Sequence, residues 1–258
     1  MKIATWNVNG INARIDLIVH WLESRKPDVV ALQELKSEEQ FLPLAPITAL
    51  GYNVWARGQK SWNGVAILAR EKAEVLQRGL KGQEEAGARL ITVKLQDFTY
   101  TSVYCPNGKD IDHLDFAMKL KWFDSLTGYW RELTRQHENS LIGGDFNITP
   151  SPRDTWRGTE GNGKIFHTVE ERERLNQFVG TNLHDLYREL NPGSDDFSWW
   201  DYRGGSFEKN QGLRIDMIYG TASMRARTKK VEIDREYRNK INELTPSDHV
   251  PVIAELVD

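Results

Sequence analysis

Short apolar runs recur along the chain, and each ends at or near a polar residue that can bind a metal or move a proton. Runs of roughly four to eight such residues are typical of buried strands. A carboxylate beside so much apolar sequence is costly unless it is paired or bound to a cation. The recurrence therefore predicts one site assembled at the ends of several strands. The five runs with their polar residues are Lys2–Val8 with Asn7, Asp28–Leu32 before Glu34, Leu141–Gly144 before Asp145 and Asn147, Leu213–Tyr219 around Asp216, and Thr245–His249 with Asp248 and His249.

Three other stretches have the periodicity of helices that bury one face, and further strand-like runs separate them. The helical stretches are Ile15–Ser24, Asp115–Arg135 and Glu170–Phe178. The additional strand-like runs are Asn53–Trp55, Gly64–Ala69, Leu90–Leu95, Thr99–Tyr104 and Val250–Leu256. This order suggests two similar halves packed sheet on sheet with helices outside. The Gly-rich, polar stretch Arg153–His167 is expected to form a surface loop that touches ligand.

Length and composition indicate one soluble globular domain covering residues 1–258. Sandwich folds reach about 200–250 residues as a single unit. The net charge of −3 argues against a protein that coats nucleic acid over its whole surface. It still allows a nucleic-acid enzyme, because an acidic metal site can lie inside a basic rim. The single Cys105 excludes an intramolecular disulfide and a cysteine-based zinc cluster. With no signal-like start and no run of about 20 apolar residues, we expect a cytoplasmic or nucleoid-associated monomer without a membrane partner.

Asn7 and Glu34 end neighbouring strand-like runs and form the first candidate pair. A carboxylate and an amide oxygen are ligands that suit a hard cation such as Mg²⁺, with Mn²⁺ as an alternative. Taken singly, a strand-end Glu more often forms a salt bridge, and an Asn there more often ends a turn. The pair predicts a metal site because each of the two residues stands at the end of a strand-like run.

Asp145 and Asn147 follow the two glycines at positions 143 and 144, which permit a close approach of the backbone. Two residues apart in extended chain, their side chains point the same way. One can accept a proton while the other donates to a developing oxyanion. The alternative is an Asx turn after a strand.

His249 lies beside Asp248, and Asp216 is flanked by apolar residues on both sides. A lone His is more often structural than catalytic. A buried Asp needs a partner, however, and Asp216 is the carboxylate best suited to hold the tautomer of His249 and raise its pKa. A protonated His249 would stabilise a pentavalent phosphorane.

The sequence lacks a Gly-rich phosphate loop, a nucleophile elbow and a His-Glu-x-x-His zinc motif. The remaining reaction class is metal-assisted hydrolysis with water as the nucleophile.

Blocks spread over the chain resemble, in order, the signature blocks of the exonuclease III family in the endonuclease/exonuclease/phosphatase superfamily. They are residues 5–10 (TWNVNG), 32–36 (LQELK), 143–147 (GGDFN), 213–216 (LRID) and 247–249 (SDH). Three further blocks favour the DNA-repair branch: residues 58–66, 104–108 and 197–203. The resemblance implies an α/β fold, a four-layer α/β/β/α sandwich of two mixed sheets flanked by helices.

The resemblance also implies a role for each matching position. Asn7, Glu34 and Asp248 are expected to form the metal set, with Asp145 and Asn147 beside them. Asp145 would orient or deprotonate water, Asn147 and Tyr104 would contact the phosphate, and His249 supported by Asp216 would contact a phosphoryl oxygen. Trp199, Trp200 and Leu213 match an apolar pocket for a base-free sugar, although Trp200 suits the core equally well. Candidates for substrate-phosphate contacts are Lys36, Arg57, Lys60, Asn63, Arg89 and Lys121.

The activity implied is that of a Mg²⁺-dependent DNA-repair phosphodiesterase. It would be a 3′-to-5′ exonuclease and 3′-end processing enzyme on double-stranded DNA with abasic or 3′-blocked ends. The resemblance leaves open whether it also has abasic-site endonuclease activity. Phe166 and His167 are bulky where some relatives carry small residues, and Arg174 stands where a Trp is common. A loop obstructing the pocket would favour 3′ ends over internal abasic sites. The alternatives are a superfamily phosphatase acting on a small or lipid phosphate, and a non-catalytic binding module.

Overall fold

The computed structural model describes residues 1–257, which form fourteen strands and six α-helices. The strands are β1 (Lys2–Asn7), β2 (Val29–Gln33), β3 (Asn53–Arg57), β4 (Val65–Ala69), β5 (Glu74–Arg78), β6 (Leu90–Lys94), β7 (Thr99–Tyr104), β8 (Ser140–Asp145), β9 (Leu183–Asp185), β10 (Trp199–Trp200), β11 (Gly212–Leu213), β12 (Asp216–Thr221), β13 (Thr228–Ile233) and β14 (Val252–Leu256). The helices are α1 (Ile11–Arg25), α2 (Ala45–Ala49), α3 (Leu114–Gln136), α4 (Val169–Val179), α5 (Leu186–Leu190) and α6 (Ala222–Arg227). Within residues 1–257, no helix has both the length and the apolar sequence to cross a membrane.

The long strands form two mixed six-stranded sheets, and β10 and β11 form a separate short pair. The first sheet has the order β13-β14-β1-β2-β4-β3, and the second has the order β5-β6-β7-β8-β12-β9. Each sheet contains one parallel pair, β1 with β2 and β7 with β8. A parallel connection needs a crossover, which α1 supplies in the first sheet and α3 in the second. The predicted similarity of the two halves is this repeated strand–helix–strand unit.

Three apolar cores separate four layers. Alternate residues of β1 point to opposite faces, so Ile3 enters the core between the sheets while Ala4 and Trp6 pack beneath α1. The third core joins the outer face of the second sheet to α3 and α4, with Trp130 and Phe178 in contact. Because both faces of β2 and β4 are buried, Val29–Leu32 and Val65–Ala69 are continuously apolar. The predicted four-layer sandwich is confirmed.

The predicted strand Leu213–Tyr219 is wrong in its extent, because the run breaks between β11 and β12. Arg214 is fully buried there, and its guanidinium binds Asp154 and Asp185. Its backbone N–H donates to the Asp154 carbonyl at 2.8 Å. These contacts take Arg214 out of the strand ladder, so only the second part of the run belongs to the sheet.

The predicted strand Thr245–His249 is also wrong, since residues 245–248 are irregular and His249 forms only an isolated bridge with Trp199. Pro246 has no N–H to give to a ladder. The Ser247 hydroxyl donates to the Asn7 carbonyl at 2.8 Å and accepts from the His249 N–H at 3.2 Å. These bonds place His249 beside the end of β1 without a strand. The first helix also begins at Ile11, earlier than the predicted Ile15.

Candidate active site

Polar residues at the ends of the central strands of both sheets meet at one edge of the sandwich. Asn7 ends β1, and Glu34 directly follows β2, its parallel neighbour. Asp145 ends β8 and pairs in register with Asp216, the first residue of the antiparallel β12. The prediction that strand ends bring these residues together is confirmed.

Asn7 connects the acidic groups of the two sheets. Its Nδ2 donates to Glu34 Oε1 and to Asp145 Oδ2, each at 2.9 Å. Its Oδ1 accepts the backbone N–H of Asn9 at 3.0 Å. The amide oxygen that the sequence suggested as a metal ligand is therefore engaged within the chain, and Asn7 presents its NH₂ to the site. In this orientation Asn7 positions two carboxylates, and its place in the metal set stays a prediction.

Glu34 has a left-handed backbone, with φ of 54°. Its Oε2 lies 2.8 Å from Lys36 Nζ, and the Glu34 side chain is 15% exposed. Burial alone would raise the pKa of Glu34, but the Lys36 ammonium and the Asn7 amide outweigh it and hold the pKa below its usual value. Glu34 is thus ionised at neutral pH at the rim of the site.

Asp145 is almost fully buried, at 1% exposure. Its Oδ1 accepts the Asn147 N–H at 2.9 Å, which is the Asx turn considered as an alternative. Burial raises the pKa of Asp145 to about 7, although the nearby His249 acts to lower it. A carboxylate with a pKa near neutral is suited to accept a proton from water.

His249 and Asp216 form the pair that the sequence suggested. His249 Nδ1 lies 2.8 Å from Asp216 Oδ2, and Nε2 lies 3.8 Å from Asp145 Oδ2. The Ser198 hydroxyl donates to Asp216 Oδ2 at 2.6 Å. Burial alone would lower the pKa of His249, but Asp216 and Asp145 outweigh it and raise the pKa to about 10. The imidazole is therefore protonated at neutral pH and can donate to an anion.

Ligand atoms of Glu34, Asp145 and His249 lie within 4.8 Å of one another, so the two carboxylates can hold a metal beside the protonated imidazole. Asp248, predicted as part of the metal set, makes two hydrogen bonds within the chain. Its Oδ1 accepts from Asn9 Nδ2 at 2.8 Å, and its Oδ2 accepts from Trp199 Nε1 at 3.0 Å. Asp248 thus links the site to the neighbouring pocket.

Tyr104 and Asn147 lie at the ends of the parallel strands β7 and β8. Asn147 has φ of 50°, and its Nδ2 donates to the Cys105 carbonyl at 2.9 Å. Burial, together with the charges of Glu34 and Asp145, raises the pKa of Tyr104 well above its usual value. Tyr104 therefore remains a neutral hydrogen-bonding group beside the carboxylates.

A groove of about 810 Å³, called the Trp62 groove, extends from Tyr104. Three predicted phosphate contacts line it: Asn63, Arg89 and Lys121. The Arg89 guanidinium stacks 4.8 Å from the centre of the Tyr104 ring. The other candidates do not line this groove. Lys36 is paired with Glu34, Lys60 is exposed between β3 and β4, and Arg57 packs over Gly79.

A second cavity of about 410 Å³, called the Trp199 pocket, adjoins His249. Trp199 and Leu213 line it as predicted, and the Trp199 ring lies 6.5 Å from that of His249. The structure places Trp200 in the core instead. It is fully buried, and its ring packs edge-on against Phe207 with centres 5.0 Å apart. Adjacent residues of β10 point to opposite faces, so only one Trp can reach the pocket.

The loop that differs from the family pattern is part of the wall of this pocket. Phe166 and His167 both line it, and Phe166 has a left-handed φ of 72°. His167 is 4% exposed, and its Nδ1 lies 2.7 Å from the Ile165 carbonyl. Arg174 lies elsewhere, with its Nε 3.6 Å from Asp124.

Sequence reasoning missed the fully buried ion pair of Lys119 with Glu171. Thr168 and Glu171 have the spacing of a helix capping box, which is a visible signal, and both of its hydrogen bonds are present. Nothing in the sequence indicates that the same Glu171 also binds Lys119, which lies fifty-two residues earlier.

Comparison with known proteins matches this arrangement. The model of the endonuclease/exonuclease/phosphatase family matches residues 4–249. Exodeoxyribonuclease III of Haemophilus influenzae is 35% identical over 271 aligned residues, with 99% of each chain covered. An apurinic or apyrimidinic site DNA endonuclease of Dictyostelium discoideum is 26% identical, covering 98% of this chain and 69% of that protein.

Two solved structures resemble the fold over its full extent. A Neisseria 3′ phosphatase, NExo, bound to a product DNA hairpin, has a TM-score of 0.96 and 34% identity, covering 100% of this chain and 99% of that one. An AP endonuclease from Archaeoglobus fulgidus has a TM-score of 0.93 and 30% identity, with 99% of each chain covered. The match of sequence, fold and strand-end residues identifies the chain as a member of the exonuclease III branch of the endonuclease/exonuclease/phosphatase family.

Proposed function

We propose that this chain is a Mg²⁺-dependent DNA-repair phosphodiesterase that acts at 3′ ends of double-stranded DNA, as a 3′-to-5′ exonuclease and as a 3′-phosphatase. The observation that carries the proposal is the convergence of Glu34, Asp145 and His249 beside a pocket whose wall includes His167. The activities named for the relatives, exodeoxyribonuclease and 3′ phosphatase, support it.

The residues at the site fit a divalent cation. Glu34 and Asp145 offer carboxylate oxygens, which hard cations prefer, and Mg²⁺ needs few protein ligands because it keeps several waters. Glu34 is the principal candidate ligand because its carboxylate is partly exposed. Mn²⁺ would fit the same ligand set. A bound cation would supply Lewis-acid polarisation of the phosphate and neutralise developing charge.

The chain's own groups would carry the remaining chemistry. Asp145 would orient a water and accept its proton as the oxygen attacks phosphorus. Protonated His249 would donate to a phosphoryl oxygen that gains charge, while Asp216 holds the ring by Nδ1. Asn147 and Tyr104 would add neutral donors around the phosphate. Attack forms the bond from the water oxygen to phosphorus and breaks the bond between phosphorus and the 3′ oxygen. The 3′ oxygen takes a proton from solvent, which leaves a 3′-hydroxyl and a released phosphate or 5′-mononucleotide.

The preference for 3′ ends rests on the Trp199 pocket. A base-free sugar inside a continuous strand must enter a pocket beside His249 with its flanking nucleotides still attached. Phe166 and His167 fill part of this pocket and restrict such a path. A terminal 3′-phosphate has no downstream nucleotide to accommodate. Abasic-site endonuclease activity is the second candidate, supported by the AP endonuclease relatives.

The test is cleavage of three labelled duplexes with Mg²⁺ and with EDTA: an internal abasic site, a 3′-phosphate at a nick and an intact recessed 3′ end. We expect Mg²⁺-dependent reaction at both 3′ ends and at least tenfold slower cleavage at the abasic site. Equal rates on all three duplexes would contradict the proposed preference for 3′ ends. No Mg²⁺-dependent cleavage of any duplex would overturn the proposal, and turnover of a small or lipid phosphate instead would favour the superfamily phosphatase.

The same proposal includes a single-domain monomer, since residues from β1 to β14 of one chain supply every predicted site group. Sedimentation of the protein alone and with duplex DNA tests this, and a dimer of the free protein would contradict it. The cytoplasmic or nucleoid-associated location remains a prediction.

A further inference from the structure

Lys119 lies at the junction of three loops that border the candidate active site. Its side chain is completely buried in α3. The ammonium donates to the carbonyls of Asn147 at 2.7 Å and Asn107 at 3.1 Å, and to the carboxylate of Glu171. An ammonium has three donors, so all of its hydrogen-bonding capacity is used here.

One of these bonds holds the loop of a candidate catalytic residue. Asn147 has a left-handed φ of 50°, a conformation that costs a non-glycine residue energy and persists only when its surroundings impose it. Lys119 binds the Asn147 carbonyl, while the Asn147 N–H and side chain bind Asp145 and Cys105. Lys119 is therefore one of the contacts that fix where the Asn147 amide points.

The partner of Lys119 holds the wall of the Trp199 pocket. Glu171 Oε1 accepts the Phe166 N–H at 3.1 Å, and Oε2 accepts the Thr168 N–H at 3.0 Å. These two residues flank His167, so the carboxylate clamps both sides of it. The Lys119 ammonium also lies 4.9 Å from the centre of the Phe166 ring.

The two loops are further tied to each other. The N–H and the hydroxyl of Thr149 both donate to the Phe166 carbonyl at 2.9 Å. A shift of the pocket wall is therefore transmitted to the segment that follows Asn147. The buried pair of Lys119 and Glu171 therefore holds both the Asn147 loop and the loop of Phe166 and His167.

We propose that Lys119 and Glu171 form a positioning pair that fixes Asn147 for the chemical step and holds Phe166 and His167 in the pocket wall, so that the pair sets the discrimination between 3′ ends and internal abasic sites. This inference rests on the function proposed above. Neither residue is proposed to touch substrate. Their effect on the reaction passes through the Asn147 carbonyl and the N–H groups on either side of His167.

The test replaces both charges at once, because removing one partner would leave an unpaired buried charge. The variant is Lys119→Met combined with Glu171→Leu. Since misplacing a positioned group by about 1 Å costs on the order of 100-fold, we expect kcat on the nicked 3′-phosphate duplex to fall between about 10- and 100-fold with KM nearly unchanged. The ratio of abasic-site cleavage to 3′-phosphate removal should rise several-fold.

Leu126→Ala is the matched control, because Leu126 lies on the same face of α3 in the core and contributes no group to either loop. It should lower thermal stability while leaving the ratio of the two activities unchanged. Lys119→Gln combined with Glu171→Gln is the second variant, which removes both charges together and weakens the clamp on Phe166 and Thr168. It carries the test if the Met/Leu variant does not fold, with the same direction of change expected.

Folded variants with wild-type kcat and an unchanged ratio would overturn the positioning role. Activities that fall in parallel with stability, as in Leu126→Ala, would also overturn it, because a merely structural pair predicts that pattern. If the wild-type protein cleaves none of the duplexes with Mg²⁺, the proposed function fails instead. The two failures are therefore distinguishable.

Discussion

Asp216 holds His249 with only one of its two carboxylate oxygens. Oδ2 lies 2.8 Å from His249 Nδ1, while Oδ1 is buried and has no hydrogen-bond partner within residues 1–257. A buried carboxylate left half-satisfied is expensive, and the oxygen that is satisfied is shared by the imidazolium and the Ser198 hydroxyl. This relationship makes the protonation of His249 depend on Asp216.

Asp216→Asn should shift the pH dependence of the reaction. Without the carboxylate, the pKa of His249 falls from about 10 toward its ordinary value of about 6.5, so the imidazolium is lost as the pH rises through that lower value. We expect kcat to fall about 100-fold at pH 8, the usual cost of losing one donor to developing charge. The loss relative to the wild type at the same pH should be smaller at pH 6, where His249 regains its proton and Asp145 limits both proteins.

The measurement is kcat on the nicked 3′-phosphate duplex between pH 5.5 and 9. Ser198→Ala is the control, because it removes a hydrogen bond to Asp216 Oδ2 without removing the charge. It should produce a smaller loss and little change in profile. An Asp216→Asn profile that matches the wild type would exclude a role for imidazolium.

Glu34→Gln should impair turnover far more than DNA binding. Opposite unit charges about 4 Å apart are worth roughly 4 kcal/mol at an effective dielectric of 20, which sets an upper scale for the lost stabilisation. We expect kcat to fall about 100- to 1,000-fold. Duplex affinity, measured by fluorescence anisotropy with Ca²⁺ in place of Mg²⁺, should change less than about threefold.

Glu39→Gln provides the comparison for this variant, since Glu39 is exposed and pairs only loosely with Arg78 at 3.4 Å. An exposed pair of this kind contributes little, so both turnover and affinity should remain near wild type. Weaker binding by Glu34→Gln with normal turnover would show that Glu34 is not the principal metal ligand.

His167→Ala should widen the substrate range. Removing the imidazole enlarges the Trp199 pocket on the side formed by the Phe166 loop. Abasic-site cleavage should rise several-fold, whereas 3′-phosphate removal should remain within about twofold, because the latter does not need a sugar with both neighbours in the pocket. Rates on the two duplexes under identical single-turnover conditions give the comparison. An unchanged ratio of the two rates would show that His167 does not obstruct the pocket.

Asp154→Asn should show how one buried ion network contributes to stability at different pH. Burial alone would raise the pKa of Asp154, but Arg214 outweighs it and lowers the pKa. The stabilisation is therefore present above the unfolded pKa of about 4 and is lost as the pH falls through the folded value. At pH 7 the variant should be about 3 kcal/mol less stable.

Urea unfolding of both proteins at pH 7, 5 and 3.5 measures this difference. It should be similar at pH 7 and 5 and smaller at pH 3.5, because only the wild type has a titrating group at this position. A difference that stays constant down to pH 3.5 would mean that Asp154 contributes through shape rather than charge.

The positions of Glu34, Asp145 and Asp216 could be predicted because a carboxylate after an apolar run marks a strand end locally. The hydrogen bonds that Asn7 and Asp248 form with Asn9 could not, since they depend on how distant segments meet around the site. The sequence also cannot say which neighbour of a Trp pair points inward, because that is set by the register of β10. The Lys119–Glu171 pair was hidden because helical periodicity places each residue on its own helix but does not show which helices meet.

The strand order of the first sheet places β14 beside β1, so the candidate site at the end of β1 depends on residues near β14. β14 pairs with β1 in the register of Lys2 with Glu255, and the Trp6 indole donates to the His249 carbonyl at 3.1 Å. The imidazole cannot reach Asp145 until this closing strand has docked. A nascent chain still held on the ribosome short of residues 245–256 would therefore carry Glu34 and Asp145 but no competent site. During biosynthesis, the capacity to cut DNA would appear only once β14 has been added.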